Sequence, residues 1–570
     1  VMLFTYLHGA FSYPYLEDDD AWAHATSVKY VQTQKTVLEP NNTYDKAFDV
    51  GAFQYIDPYP PAYDALIGVM SQVEGKVNWS LKFFNSLIIS LSYLFFYFFA
   101  THFLGSNKKA FLSTFILAAV PAYLSHFIWA ISLSLPLFFI ALFALEKMKK
   151  NHSWIIPAVI SVAAGLVVTP THSIYFAIFI GIYLAGRVIA ERSIHLKVFL
   201  ACIAGGVLSA LLWWLPMLLR YKSLHELASR IGFQSLSGTG DRAYSIVDFV
   251  IARNQNMINA PIGLGIFVFL LAGLGIILVF LRGKHIFQKE NGWMVITLGW
   301  LLLAIYTVNS AGLPIRLSPF RTWVLLAIPV AILAGYAWSW LMDSKGNFFW
   351  IALVALAVIF IGYNQFAASI NSSLGFQSLP AIDALLGIIL IPLLFGFGYI
   401  GSIAIKSVGI SVKRIPVIIF LVLAVAILIT SFLPKYSLNN ALWSPGGSFI
   451  YGDQFNQLEF QGYMSLLQLP ADSRVFSLTY RHAANIIGLD HFTCNYCQVD
   501  IEMREKTGNV STSELHDWLK SNKYDYVILD ADYGLKYGAE NAKNRATEML
   551  NSGKFTVVKN NDNFVLFRVL

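Results

Sequence analysis

The run Glu17-Asp18-Asp19-Asp20, followed by Ala21-Trp22-Ala23-His24, concentrates more potential chemistry than any other stretch of this chain. Four adjacent carboxylates repel one another and lose solvation unless they face water, a cation or a proton in transfer. One ionised carboxylate can take a proton from an incoming hydroxyl or amide. Two can hold a divalent cation through oxygen ligands. The plain alternative is a solvated helix start, because Asp caps helices and suits their positive end. Asp20 can serve both roles.

Four further groups follow. Arg316 and Arg321 lie in Pro314-Ile315-Arg316-Leu317-Ser318-Pro319-Phe320-Arg321. Their forked donors suit a departing phosphate; the alternative is a pair that snorkels to lipid headgroups. His24, His126 and His172 could touch substrate or metal, with a capped helix end as the plainer reading for His126 and His172. The polar loop 221–258, with His225, Glu226, Arg230, Asp241 and Arg242, reads as a lid or an ordinary loop. Cys494 and Cys497, with His491 and His482 nearby, are spaced for a disulfide, for zinc as the alternative, and for reduced thiols as the third reading.

What must position these residues is a membrane bundle. Of 570 residues, 56% are hydrophobic and only 13% charged, about half the charged share of soluble domains. Apolar segments near 82–104, 111–125, 127–146, 154–169, 172–190, 198–219, 261–281, 292–307, 319–342, 348–368, 380–404 and 415–433, with Val1 to Leu7 as the end of a further helix, give about thirteen spans. The net charge of +7 resides largely in short loops. Lys108 and Lys109; Lys147, Lys149 and Lys150; Arg187, Arg192 and Lys197; Arg282, Lys284 and Lys289; Lys345; and Lys406, Lys413 and Arg414 fall on one side when the spans are threaded. This is the positive-inside pattern, and it weighs against a nucleic-acid partner. It places the acid run, the loop 308–318 and everything after 434 outside. Sequons at Asn41, Asn78, Asn371 and Asn509 then fall outside and that at Asn151 inside.

Within 1–433, the first outer segment, 9–80, carries an amphipathic helix from Asp20 to Thr36, with Trp22, Ala25, Val28 and Val31 on one face. A second begins at Tyr59-Pro60-Pro61-Ala62-Tyr63. Both are expected along the membrane interface. Residues 434–570 read as a compact extracytoplasmic α/β domain. Its signals are a strand at 474–478, a capping box at Ser511-Thr512-Ser513-Glu514, a strand at 526–529, a helix at 541–550 and a hairpin around Asn560-Asn561-Asp562-Asn563.

A multispan chain with an acidic motif in its first outer loop and a C-terminal outer domain resembles the GT-C glycosyltransferases, which use lipid-linked sugar donors. Asp20-Ala21-Trp22-Ala23-His24 is similar to the Asp-x-aromatic-x-aromatic/His motif of oligosaccharyltransferase catalytic subunits and to the matching segment of the lipid A aminoarabinose transferases. The resemblance implies a catalytic or metal-binding role for Asp20; beside it, Asp18 or Asp19 would hold a divalent cation (magnesium or manganese) or tune its neighbour. It also implies a donor-phosphate role for Arg316 and Arg321. Two features depart from the oligosaccharyltransferases. Pro121-Ala122-Tyr123-Leu124-Ser125-His126-Phe127 has no second carboxylate, and 434–570 lacks a Trp-Trp-Asp-Tyr-Gly motif, for which Trp443-Ser444-Pro445-Gly446-Gly447 is no substitute. The expected protein is therefore a multi-pass enzyme of the cell membrane. It would move a sugar with inversion from a polyprenyl-phosphate donor to a glycan, lipid or protein acceptor. Sequon glycosylation, a transporter or flippase, and an anchor displaying the outer domain are the alternatives.

Overall fold

The computed structural model describes residues 1–13, 15–16, 19–38, 56–225, 244, 246–252, 263–310, 319–343, 415–441, 457–479, 483–494 and 497–570. Glu17, Asp18, Arg316, His482, the loop 226–243, the segment 443–447 and the spans expected at 348–368 and 380–404 lie outside them. The helices of the first part are α1 (Met2–Ser12), α2 (Asp19–Gln34), α3 (Ala62–Glu74), α4 (Val77–Leu104), α5 (Asn107–Ala119), α6 (Ile131–Met148), α7 (Ile155–Gly165) and α8 (Pro170–Glu191). They continue as α9 (Leu196–Tyr221, with a π-helical turn at Ala210–Trp214), α10 (Ile246–Val250), α11 (Ile266–Leu281), α12 (Gly292–Val308), α13 (Pro319–Asp343), α14 (Ile415–Ile427) and α15 (Leu433–Ala441). Among the described residues, seven helical stretches are long and apolar enough to cross a membrane.

Their packing follows from size. Gly335 on α13 lies so close to α5 that an added Cβ would stand 2.2 Å from Ser113 Oγ. Small residues let membrane helices approach without a hydrophobic drive between them. Aromatic rings fill the wider gaps. Trp300 is fully enclosed among Phe99, Phe103, Phe138 and Phe179, and its Nε1–H donates to the Phe179 carbonyl at 2.9 Å. One group of charges inside the bundle is paired. Glu146 meets Arg187 and accepts from Tyr183 Oη at 2.8 Å, while Lys149 bridges to Glu191 at 3.3 Å. A buried carboxylate persists only with such compensation.

Three elements differ from the sequence reading. The segment 111–125 is helical only to Ala119, because the chain turns at Val120 and runs irregularly, buried, to Ala130. The helical path passes straight through position 434. Lys435 Nζ donates to Tyr93 Oη at 3.0 Å and to the Val120 carbonyl at 3.2 Å, inside a cage of Tyr6, Tyr93 and Tyr123 rings. That anchorage carries the helix past the composition change. The third difference is α2, which is covered by protein rather than left open along one face. Ala21 through Val28 are all buried, since α2 is enclosed by protein on its several faces.

Helices α3 and α4 cover one side of it, and the C-terminal domain covers another. That domain comprises α16 (Gln457–Met464), β1 (Val475–Ser477), α17 (Ala483–Gly488), α18 (Gln498–Lys506), α19 (Thr512–Ser521), β2 (Tyr526–Asp530), α20 (Ala531–Tyr537), α21 (Ala539–Asn551), β3 (Phe555–Asn561) and β4 (Phe564–Val569). Ser511 Oγ caps α19 by accepting from Glu514 N at 3.2 Å. The sheet order is β1-β2-β4-β3, with β1 and β2 parallel and the other pairs antiparallel. Side chains alternate across a strand. Phe476, Val527, Leu529, Val565 and Phe567 pack under the domain's own helices. Val475, Ile528, Leu566 and Phe564 join a second cluster with Trp22, Ala25, Val28, Tyr63 and Ile67, continuous with Ile128, Leu133 and Val168 of the bundle. Gly488 permits this contact: an added Cβ would lie 2.4 Å from Trp22 Cε3. At its margin Lys29 Nζ reaches Asp472 at 3.3 Å and Asp490 at 3.7 Å, and Asp490 accepts from Val77 N at 3.1 Å.

Two outcomes are expected. Gly488→Val drives methyl groups into Trp22, so thermal unfolding of the full chain should show a loss of about 1–3 kcal/mol. The second concerns Asp530, at the end of β2. It accepts from Tyr463 Oη at 2.7 Å and from Thr479 Oγ1 at 3.0 Å, yet burial outweighs these bonds and raises its carboxyl to about 6. A carboxyl raised on folding stabilises most when protonated. That contribution is complete below the unfolded value near 4 and is lost as pH climbs through about 6. Asp530→Asn, measured by denaturation at pH 4 and pH 7, should gain on the parent by up to about 3 kcal/mol over that window.

Candidate functional site

Asp20 occupies the second position of α2 and is half-buried. Asp19 opens the helix; Asp18 lies outside the described residues. One turn on, His24 falls on the same side of the helix. Its ring is sealed, with Nδ1 2.8 Å from Asp64 Oδ1 on α3 and Tyr63 edge-on at 5.1 Å. Both partners are nearly inaccessible, at 1% and 3% side-chain exposure. Burial raises the Asp64 carboxyl above its usual range, and His24 only partly offsets that rise. Tyr63 Oη continues the chain of bonds, donating to Asn85 Oδ1 at 2.9 Å, and Asn85 Nδ2 donates to the carbonyls of His126 and Phe127 at 2.9 Å.

The cationic contribution comes from the start of α13. Arg321 is partly accessible, while Arg316 lies outside the described residues. His172, in the first turn of α8, is buried with Nε2 3.3 Å from the Arg321 carbonyl. The residue that relates the two ends is Tyr59. Burial of its hydroxyl raises its pKa well above the usual tyrosine range. A bond with the Thr169 side chain and the Arg321 charge oppose that shift, and Asp64 and Asp20 reinforce it. One hydroxyl therefore feels Asp20, Asp64 and Arg321 together, although they are some three hundred positions apart in sequence. Between pH 5 and 9 that hydroxyl remains neutral and can still donate.

A neighbouring ion pair fixes this loop. Arg220 Nη1 lies 2.8 Å from Asp57 Oδ2, whose side chain is wholly enclosed, and Tyr221 Oη donates to the Asp57 carbonyl at 3.3 Å. The end of α9 thus holds the segment two residues before Tyr59.

Other expected residues lie elsewhere. His126 packs against Gly9, and its backbone N and ring Nδ1 both approach Asn439 Oδ1, at 3.1 and 2.8 Å. Because Oδ1 can only accept, Nδ1 carries the proton. Burial, opposed by the Asn439 bond and helped by Lys82, lowers the pKa of His126 to about 3. A ring so placed pins α15 to the bundle. Cys494 and Cys497 are joined as a disulfide with Cα atoms 5.5 Å apart, and His491 Nε2 bonds the Leu466 carbonyl at 2.7 Å. Sulfurs bonded to each other are not zinc ligands. Among the described residues, no group of three His, Cys, Asp or Glu side chains is placed to hold a metal ion.

Sequence reasoning passed over Tyr59, Asp64, Thr169 and the Asp57–Arg220 pair. Asp64 carried a faint signal: a lone acid in the first turn of an apolar helix preceded by Pro60-Pro61. The others became visible only through contacts between distant segments.

Neither a family model nor a curated protein matches the chain. Solved structures do. ArnT from Cupriavidus metallidurans, determined bound to undecaprenyl phosphate, is 12% identical with a TM-score of 0.54, covering 100% of this chain and 96% of its own. The oligosaccharyltransferase AglB from Archaeoglobus fulgidus, determined with an inhibitory peptide and a dolichol-phosphate, is 11% identical with a TM-score of 0.50, covering 99% of this chain and 73% of its own. This chain shares the fold of both.

Asp64→Asn keeps the shape but leaves the His24 ring without an anionic partner. Thermal unfolding should register a loss of about 1–3 kcal/mol, and the 15N resonances of His24 should move as its tautomer loses definition.

Proposed function

We propose that this protein is an inverting membrane glycosyltransferase that takes its sugar from a polyprenyl-phosphate donor. The observation that carries the reading is the likeness along the whole chain to a fold whose solved examples include one bound to undecaprenyl phosphate and one in complex with a dolichol-phosphate, with Asp20 at the start of α2 and Arg321 at the start of α13.

The chemistry divides between the two ends. The Asp20 carboxylate accepts the proton of the acceptor's hydroxyl or amino group as that atom attacks the anomeric carbon. The bond from that carbon to the phosphate oxygen breaks, and its electron pair leaves with the lipid phosphate. Arg321 faces the growing negative charge with a forked donor set, joined in this proposal by Arg316. Attack opposite the departing phosphate inverts the centre. Tyr59, neutral and hydrogen-bonded to Thr169, supplies a hydroxyl between the acidic and basic groups. Asp64 holds the His24 ring and so braces the turn that carries Asp20. The C-terminal domain, packed on the same helix, is suited to present the acceptor beside it.

A sequon-directed activity gains no support from the buried stretch at 120–130, which contributes His126 where a second carboxylate would be needed. A transporter would need an ionisable group free to change partners at mid-membrane. Lys435 is instead held by two hydrogen bonds within three tyrosine rings.

The test is transfer by the purified full chain from a panel of polyprenyl-phosphate sugars. Asp20→Asn should reduce turnover by about 10²–10⁴-fold with unchanged unfolding temperature, and Arg321→Gln by about 10²–10³-fold. Undiminished turnover in a folded Asp20→Asn protein would overturn the assignment.

A further inference from the structure

Far from the site, the other end of the bundle holds two cations with no ion-pair partner among the described residues. Helix α4 leaves the C-terminal domain at Val77, bonded to Asp490, and runs 28 residues to Leu104, a rise of about 42 Å. Lys109 lies at that far end, in the first turn of α5. Its Nζ stands 5.4 Å from the centre of the Tyr336 ring and 5.9 Å from that of Trp293. Arg282, just past α11, donates its Nε–H to the Tyr336 hydroxyl at 3.1 Å. The rings are themselves fixed, buried and edge to face at 5.0 Å. Four helices thus hold two like charges against one pair of rings, close enough for Arg282 to act on Lys109.

Like charges cost energy when brought together. The one carboxylate that acts on Lys109, Asp343, is already paired with Lys108 at 2.7 Å. Arg282 is exposed and Lys109 half-exposed, so an anion can reach both. Ordinary snorkelling lysines and arginines are mobile and spread apart along a helix rim. These two are fixed at one point, at the ends of apolar helices, where tryptophan and tyrosine are enriched in membrane proteins.

We propose that Lys109 and Arg282 form a binding site for the phosphate of an anionic phospholipid, on the face opposite the C-terminal domain. The ammonium supplies a point charge and the guanidinium its outward N–H groups to the phosphodiester oxygens. Trp293 and Tyr336, buried beneath, hold the two cationic side chains in place from below. The site is independent of the catalytic reading, since it shares no residue with it.

Native mass spectrometry of the full chain in detergent tests this, with phosphatidylglycerol, phosphatidylcholine and inorganic phosphate as probes. Phosphatidylglycerol should be retained in preference to phosphatidylcholine. In Lys109→Gln/Arg282→Gln its affinity should fall about thirty-fold, from two charges near a membrane surface, with phosphatidylcholine unaffected. Lys150→Gln/Lys289→Gln removes two exposed cations from the same face and should change it less than about three-fold. Equal retention of both lipids by the unmutated chain would overturn the proposal and requires no variant to fold. Equal losses in the two double variants would overturn it in favour of diffuse charge. Displacement of the lipid by millimolar inorganic phosphate would overturn it in favour of a soluble-anion site.

Discussion

The burial of α2 between the membrane bundle and the C-terminal sheet is the constraint on which the other features depend. A helix that begins with acids and is covered on all sides has few places for its polar groups. His24 turns to Asp64, Asp20 stays at the half-open rim, and Lys29 reaches out to Asp472 and Asp490. Trp22 is the wedge in this arrangement. It needs a flat receiving surface, and Gly488 supplies one by having no side chain. Were α2 free on a membrane surface, the carboxylates could relax into water and the candidate site would have no fixed geometry.

Charge is managed by separate means in three regions. Around α2, acids and a histidine share bonds within one small network. At the far end of the bundle, Glu146, Arg187, Lys149 and Glu191 neutralise one another. Along α15, Lys435 is compensated by oxygens and aromatic faces rather than by a carboxylate. Each solution removes a buried charge from the unpaired state that a low-dielectric interior penalises. The Asp57–Arg220 pair joins the end of α9 to the segment that precedes Tyr59.

Much of the architecture was legible in residue order, for physical reasons. Long apolar stretches have one solution in a bilayer, so α4, α6, α8, α12 and α13 could be placed within a few residues. Turn and cap chemistry is local, so Ser511 and the hairpin near Asn560 were readable. Asp20 and Arg321 stood out because charge is rare at such positions. The cover over α2 was not read, although a trace of it was present. Tyr526-Val527-Ile528-Leu529 and Phe564-Val565-Leu566-Phe567 are apolar at every step, which signals a sheet covered on both faces. One cover is the domain's own helices; nothing local says that the other begins at Trp22. Tyr59 and Asp64 were missed for the same reason, since their meaning lies in pairings made across the fold.

The seam between Trp22 and Gly488 also sets a timetable. The two residues are roughly 460 positions apart, so the ribosome releases the helix long before its lid exists. At about 5–20 residues per second, that interval is on the order of half a minute to a minute and a half. During synthesis the acidic segment must wait uncovered, and a truncated chain never closes it. Covering of α2, and with it the fixed geometry around Asp20, therefore belongs to the last stage of synthesis.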